Sequence, residues 1–155
     1  MKRLYPVILL CLVPVNGCQS STAHQQGTTQ FFDNFSLYNT TSRMNPAHLQ
    51  CSGSFSTGMS GGGGDRVFYR KDSSLDCEII GQEFDAKGFT DKLRREIEQE
   101  ITKSGARLSG GGASGENFHC EYNEGSIHGA IEVVAGRVEA NRYKLTYIIR
   151  EYRWK

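Results

Sequence analysis

Residues 84–105 read FDAKGFTDKLRREIEQEITKSG, and their spacing decides the fold. Large apolar residues recur in this stretch at every fourth position: Phe89, Leu93, Ile97 and Ile101. Residues four apart share one side of a helix, so the spacing predicts a single helix with one apolar stripe. Asp85 or Thr90 can cap its start, because a side-chain oxygen accepts hydrogen bonds from the free amides. Gly105 ends the helix, and a stripe this narrow is most simply buried against a sheet.

The segments before and after this helix alternate between apolar and polar residues, which is typical of strands. Before the helix, residues 66–70 and 75–80 are separated by a turn-forming stretch and predict a hairpin. After it, the alternation predicts strands near residues 118–122, 127–133 and 143–149. The sequence therefore predicts an α+β fold, a mostly antiparallel sheet of about four to five strands with one amphipathic helix packed on one face.

Two glycine runs, at residues 61–64 and 110–112, interrupt the alternation. A phosphate-binding loop would need a lysine and then a serine or threonine after its glycines, followed by a helix. Neither run has that continuation. We therefore predict that both runs are hairpin tips or mobile loops, and that residues 51–65 form a loop as a whole.

The beginning of the chain has the three parts of an export signal. Lys2 and Arg3 give a basic end, residues 4–15 are almost wholly apolar, and Gly17-Cys18 follows just after them. The apolar run is too short to cross a bilayer, which takes roughly 20 residues. Because a cysteine stands directly after a small residue, the segment resembles the lipobox of bacterial lipoproteins.

This resemblance implies a domain organisation and a location. Residues 1–17 would be a signal peptide, and Cys18 would become the mature N-terminus and carry acyl chains such as palmitate. Residues 18–30 are polar and predict a flexible tether, and residues 31–155 predict a single α+β domain. The lipidated protein would be held on a membrane of the bacterial cell envelope. Gln19 in place of aspartate favours the outer membrane, on its periplasmic face.

The charge of the chain gives no support to nucleic-acid binding. Of 18 basic residues, Lys2 and Arg3 belong to the signal, which leaves 16 basic against 17 acidic residues in the mature chain. A nucleic-acid-binding protein normally shows a basic patch. No motif indicates a cofactor or a metal site, and no Asp or Glu stands alone in an apolar run, where a shifted carboxyl pKa would be expected.

The mature chain would keep three cysteines besides Cys18, because Cys11 belongs to the signal, and one pair is expected to form a disulfide in an oxidising envelope compartment. A bridge between Cys51 and Cys77 would pin the first glycine-rich segment, whereas one between Cys77 and Cys120 would join two predicted strands. The spacing leaves both open. We favour Cys51–Cys77, because that bridge would hold a segment with little else to fix it.

We expect a non-enzymatic binding or assembly module with a protein or a cell-wall partner. Its candidate binding surface comprises Phe31 and Phe35, in the aromatic segment 31–38, and Tyr152 and Trp154 at the end of the chain. Phe31 and Phe35 could instead pack on the domain as its first element. Tyr152 and Trp154 would lie on an exposed strand edge, which can accept a partner strand.

Two other functions are compatible with the sequence. An envelope thiol enzyme or hydrolase could use Cys120 with His128, since a cysteine nucleophile needs a histidine near it in space to hold the thiolate. A eukaryotic secreted glycoprotein is the second alternative, because Asn34-Phe35-Ser36 and Asn39-Thr40-Thr41 are acceptor triplets for N-glycosylation.

Overall fold

A computed structural model of the chain describes residues 27–53, 56–81 and 83–154. The predicted signal peptide, Cys18 and most of the predicted tether lie outside these residues. The described part contains three helices and seven strands. In chain order they are α1 (Gln30–Asn34), α2 (Leu37–Met44), β1 (Leu49–Cys51), β2 (Ser56–Gly63), β3 (Arg66–Ile79), α3 (Ala86–Lys103), β4 (Arg107–Ser114), β5 (Asn117–Glu124), β6 (Ile127–Glu139) and β7 (Arg142–Trp154). None of the described helices is long and apolar enough to cross a membrane.

All seven strands belong to one antiparallel sheet, in the order β1-β3-β7-β6-β5-β4, with β2 also paired to β3. β1 pairs with residues 77–79 of β3 and β2 pairs with residues 66–73, so the two follow each other along the same strand. The sheet is therefore six strands wide. This confirms the α+β class and the mostly antiparallel sheet, while the predicted count of four to five strands is too low.

Two of the three unpredicted strands, β2 and β4, contain glycine runs that we predicted to be hairpin tips or mobile loops, and the third is the short β1. Only Gly64, in the turn between β2 and β3, lies at a hairpin tip as predicted. β2 pairs residue by residue with β3, and Gly110, Gly111 and Gly112 of β4 pair with β5. Strand pairing uses backbone groups, so a segment with few side chains joins a sheet when its neighbour offers a free edge. Gly111 also needs the absence of a side chain, because a Cβ there would lie 2.7 Å from the carbonyl oxygen of His119.

β3 is one continuous strand of 14 residues, so the hairpin predicted within residues 66–80 is also wrong. Its neighbour β7 is almost as long and pairs with it from Arg66 to Glu78. A ladder of that length holds the polar stretch at residues 71–74 in extended conformation despite its turn-forming composition.

The helix α3 begins and ends where the sequence predicted. Asp85, rather than Thr90, is the N-cap, and its side chain accepts from the amide of Gly88 at 3.0 Å. The buried residues of α3 are Phe89, Thr90, Leu93, Ile97 and Ile101. Arg94 and Glu98 beside this stripe are half-buried, so the helix has no sharp division between an apolar and a polar side and is not clearly amphipathic.

The core lies between the helices and one face of the sheet. The strands contribute every second residue to it, as the alternation of side chains in a strand requires. On β7 these residues are Tyr143, Leu145, Tyr147, Ile149 and Glu151, each at most 1% exposed. The opposite face of the sheet carries no helix of the described chain, and we call it the open face.

The N-terminal aromatic segment forms α1 and the start of α2, and it corrects the predicted binding surface. Phe31 and Phe35 are only 2% and 3% exposed. The ring of Phe31 lies 5.2 Å from that of Tyr122, and the ring of Phe35 lies 5.1 Å from that of Tyr147. Both phenylalanines therefore belong to the core, because edge-to-face packing on buried tyrosines removes their apolar surface from water.

Tyr152 and Trp154 also do not lie on an edge strand. β7 is central, with β3 on one side and β6 on the other, and its backbone groups are already paired along both. The outer strands of the described sheet are β4 at one side and β1 with β2 at the other. The predicted exposed strand edge is therefore wrong, and a contact through Tyr152 and Trp154 would use their side chains.

Candidate functional site

The open face gathers side chains that lie far apart in the sequence. Because the odd-numbered residues of β3 and β7 face the helices, their even-numbered residues face the other way. The strand register places Phe68 of β3 beside Tyr152 of β7, and Tyr152 beside His128 of β6. Trp154 lies two residues further along β7. We call these four residues the aromatic platform.

Three rings of the aromatic platform, those of His128, Tyr152 and Trp154, contact one another or one arginine. His128 and Tyr152 are stacked, with ring centroids 5.2 Å apart and an angle of 22° between planes. The guanidinium carbon of Arg66 lies 3.9 Å from the centroid of Trp154 and 5.6 Å from that of Tyr152. Such cation–π contacts help to fix the rings of Trp154 and Tyr152. Trp154 stays 49% exposed and Phe68 37% exposed.

A groove of about 480 Å³ runs beside the platform. Ala130 lies in the middle of it, between Arg150 on β7 and Glu121 on β5 in the strand register. The small alanine side chain between longer neighbours leaves the depression. The groove is lined by Phe68, Ser109, Glu121, Asn123, His128, Gly129, Ala130, Arg150 and Tyr152.

Charges of both signs lie in and around the groove. Arg150 pairs with Glu132 at 3.2 Å, and Arg70, the cross-strand neighbour of Arg150, pairs with Asp72 at 3.3 Å. Glu121 adds a further carboxylate to the lining. The site therefore presents hydrogen-bond donors and acceptors together, with no excess of positive charge.

The opposite side of β7 carries a buried carboxyl group that the sequence analysis missed. Glu151 is fully buried and accepts hydrogen bonds from the amide of Thr29 at 2.9 Å, from the Thr29 hydroxyl, and from the Tyr122 hydroxyl at 2.7 Å. Burial raises the pKa of Glu151, while the bonds from Thr29 and Tyr122 lower it in part. Its position in the alternation, two residues after Ile149, was the available sequence signal.

This carboxyl group holds the start of the domain to its last strand. Thr29 is the N-cap of α1 and is itself fully buried, as is nearly all of Thr28. The predicted tether of residues 18–30 therefore ends earlier than expected, because these two threonines are part of the packed domain. At the other end of α1, Lys71 donates to the carbonyls of Phe32 at 3.0 Å and Phe35 at 2.9 Å. The role of the Glu151 cluster is structural.

The structure does not bring together the predicted pair of Cys120 and His128. Cys120 is 1% exposed on the helix side of β5, and burial raises the pKa of its thiol to about 12. His128 lies on the open face, where its Nδ1 is 2.6 Å from Oδ1 of Asn123. A thiol that stays protonated and has the sheet between itself and the histidine cannot act as the nucleophile of such a pair.

The remaining cysteines form the first of the two bridges that the sequence left open. The Sγ atoms of Cys51 and Cys77 are 2.08 Å apart, and the residues are direct cross-strand partners on β1 and β3. The bridge thus attaches the short outer strand β1 to the sheet. Cys120 is a free, buried thiol.

Similarity to known proteins adds no indication of a ligand. Comparisons with protein-family models, with curated proteins and with solved structures find no match to the chain. Among the described residues, no group of three or more His, Cys, Asp and Glu could hold a metal ion. The function is therefore inferred from the aromatic platform and its groove.

Proposed function

We propose that this chain is a membrane-tethered binding module of the bacterial cell envelope, which binds its partner on the open face of its sheet. Cys18 would carry the lipid anchor, and the domain would face the periplasm from the outer membrane. The observation that carries the binding role is the aromatic platform, whose rings lie on a face that no described helix covers. The partner would be a protein or a component of the cell wall.

Exposed aromatic rings are typical of surfaces that bind. Folding removes large apolar side chains from water where it can, and contiguous exposed apolar surface usually marks an interaction site. Phe68 and Trp154 remain exposed although the same chain buries Phe31 and Phe35 under its helices. Aromatic side chains also lose little conformational freedom on binding, since they have few rotatable bonds.

The platform is also ordered before any ligand arrives. The Tyr152 ring contacts the His128 ring and the Arg66 guanidinium. His128 lies on β6 and Arg66 on β3, the two strands that pair with β7. A surface with fixed side chains binds with a smaller entropy loss than one that must be ordered first. Rigid strands thus present the rings in a fixed arrangement.

The tether can be tested by intact mass measurement of the mature protein. A chain that begins at Cys18 and carries the mass of acyl chains would support the lipid anchor. An unmodified chain cleaved after Gly17 would refute the membrane attachment and leave a secreted domain.

The binding surface can be tested by photo-cross-linking in the cells that produce the protein. A photoreactive phenylalanine analogue is placed at Phe68 on the platform or, as the control, at Lys92 on the exposed side of α3. We expect cross-linked adducts from position 68 and few from position 92. Equal adducts from both positions, or none from position 68, would show that the open face does not bind.

A further inference from the structure

We infer that the ligand of the open face is a glycan, bound as two or three linked pyranose rings across the strands from Phe68 to Asn123. This inference rests on the proposed binding function and deepens it. Four features of the open face support it: the length of a row of side chains across the strands, the aromatic rings in that row, the mixture of hydrogen-bonding groups and the pairing of charges.

The length of the row suits a short oligosaccharide. The strand register sets Phe68, Tyr152, His128 and Asn123 side by side on β3, β7, β6 and β5. Neighbouring strands are about 4.8 Å apart, so the row is ~14 Å long. A pyranose ring in an extended chain advances by about one strand spacing, which gives two or three rings along the row.

The chemistry of the platform suits the faces of sugar rings. A pyranose ring presents a flat patch of C–H groups, and these groups stack on the electron-rich faces of aromatic rings. Trp154 and Phe68 are the most exposed rings of the platform, and Arg66 keeps Trp154 in place from one side. Phe68 thus offers an apolar partner at the β3 end of the row, and Trp154 offers one beside the row, two residues further along β7.

The groove supplies partners for hydroxyl groups. A hydroxyl both donates and accepts hydrogen bonds, so it is best bound where both kinds of partner are present. Arg150 offers donors, Glu121 offers acceptors and Asn123 offers both within the same lining. The volume of about 480 Å³ lies within the range of sites for small ligands, roughly 300 to 1,000 Å³.

The other classes of ligand fit less well. A phosphate chain in the groove would need an unpaired cation, but Arg150, the arginine of the lining, is paired with Glu132, and Glu121 would repel the phosphate groups. An acyl chain would cover Arg150 and Glu121 with hydrocarbon and take their charges out of water without a partner. A neutral or zwitterionic glycan has neither difficulty.

The test uses the fluorescence of Trp154, because it is the single tryptophan of the chain and lies on the platform. The purified mature protein is titrated with three tetrasaccharides, made of β-1,4-linked glucose, β-1,4-linked N-acetylglucosamine and α-1,4-linked glucose. An oligodeoxythymidylate of similar length serves as the polyanionic probe. We expect a saturable change with at least one tetrasaccharide and none with the oligonucleotide.

Variants show whether that signal comes from the platform. We expect Tyr152→Ala and Phe68→Ala each to weaken binding by about tenfold, the loss seen when a ring that stacks on a base is removed. The control is Val134→Ala, which removes an exposed side chain of β6 outside the groove and should bind as the unmodified protein does. Circular dichroism checks that each variant is folded, and Phe68→Ala remains informative if Tyr152→Ala is not.

The outcomes separate the glycan from the binding function itself. Failure of all three tetrasaccharides, preference for the oligonucleotide, or normal binding by folded Phe68→Ala would each overturn the glycan inference. If cross-linking from position 68 persists in that case, the open face still binds and its ligand belongs to another class. If cross-linking fails as well, the proposed binding function falls with the glycan.

Discussion

Replacing Glu151 with glutamine tests how the buried carboxyl group affects stability. Glutamine keeps the shape of the side chain, and its carbonyl oxygen can take the place of the carboxylate oxygen that accepts from the Thr29 amide. Its amide group then donates to the Thr29 and Tyr122 hydroxyls, which can accept as well as donate. The hydroxyl protons of Thr29 and Tyr122 lose their carboxylate acceptor to the same extent at every pH, and the side chain at position 151 no longer titrates.

The sign of the effect follows from the direction of the pKa shift. Burial raises the pKa of Glu151 in the folded protein, so the folded state holds a proton that the unfolded state releases at roughly pH 4.3. The contribution of this group to the free energy of unfolding is therefore complete below that pH and is lost as the pH rises through the folded pKa. One group changes stability by at most about 1.4 kcal/mol per pH unit.

We therefore expect Glu151→Gln to gain stability relative to the unmodified protein as the pH rises. Urea unfolding followed by far-UV circular dichroism, from about pH 5 to about pH 8, measures the difference. Glu78→Gln on the exposed side of β3 is the control and should leave the pH dependence unchanged. Parallel curves for Glu151→Gln and the unmodified protein would refute the reasoning.

A second substitution at the same position measures the hydrogen bonds rather than the charge. Glu151→Ala leaves the Thr29 amide and the Thr29 and Tyr122 hydroxyls without their acceptor. A buried donor without a partner costs about 1–3 kcal/mol, so the loss should be at least about 3 kcal/mol. Measured at about pH 5, where charge matters least, a loss below ~1 kcal/mol would show that the cluster does not hold α1 to β7.

Three further predictions concern the core and the cysteines. Gly129→Ala puts a methyl group 2.3 Å from the buried ring of Tyr122, a steric overlap that should destabilise the domain by about 1–3 kcal/mol. Gly136→Ala on the same strand meets nothing within 4 Å and should be near neutral in urea unfolding. The Cys120 thiol should react with a thiol reagent at neutral pH only after denaturation, and rapid labelling of the folded protein would contradict its burial. Serine at both Cys51 and Cys77 should lower the free energy of unfolding by about 3.5 kcal/mol, the value for a loop closed over 26 residues.

The sequence predicted those elements of the fold in which buried apolar side chains recur at a regular spacing. The apolar residues of α3 and the alternation in β7 are set by burial, which leaves a period in the sequence. β2 and β4 show no such spacing, because their glycines pair through the backbone alone. Neither strand can be recognised without knowing the strand that it pairs with. α1 has only five residues, too few to show a helical period.

The candidate site was predictable only in part, for a related reason. Tyr152 and Trp154 stood out as aromatic residues near the end of the chain. We predicted that they lie on an edge strand, but their strand β7 is in the centre of the sheet. Phe68 and His128 join them through strand register, which a single sequence does not specify. Glu151 was missed because an acidic residue at the end of an alternating run looks like the point where burial stops.

The bond between Thr29 and Glu151 also determines how the domain responds to a mechanical pull on its N-terminal side. Force applied ahead of Gly27 first loads the hydrogen bonds of Thr29, which are few and can break one after another. Once they rupture, α1 is held by Lys71 and by the packing of Phe31, while β7 stays hydrogen-bonded to a long strand on each side. The Glu151 side chain and the aromatic platform lie on opposite sides of that strand, so a pull on the N-terminal side would loosen the helix side of the sheet before it disturbed the open face.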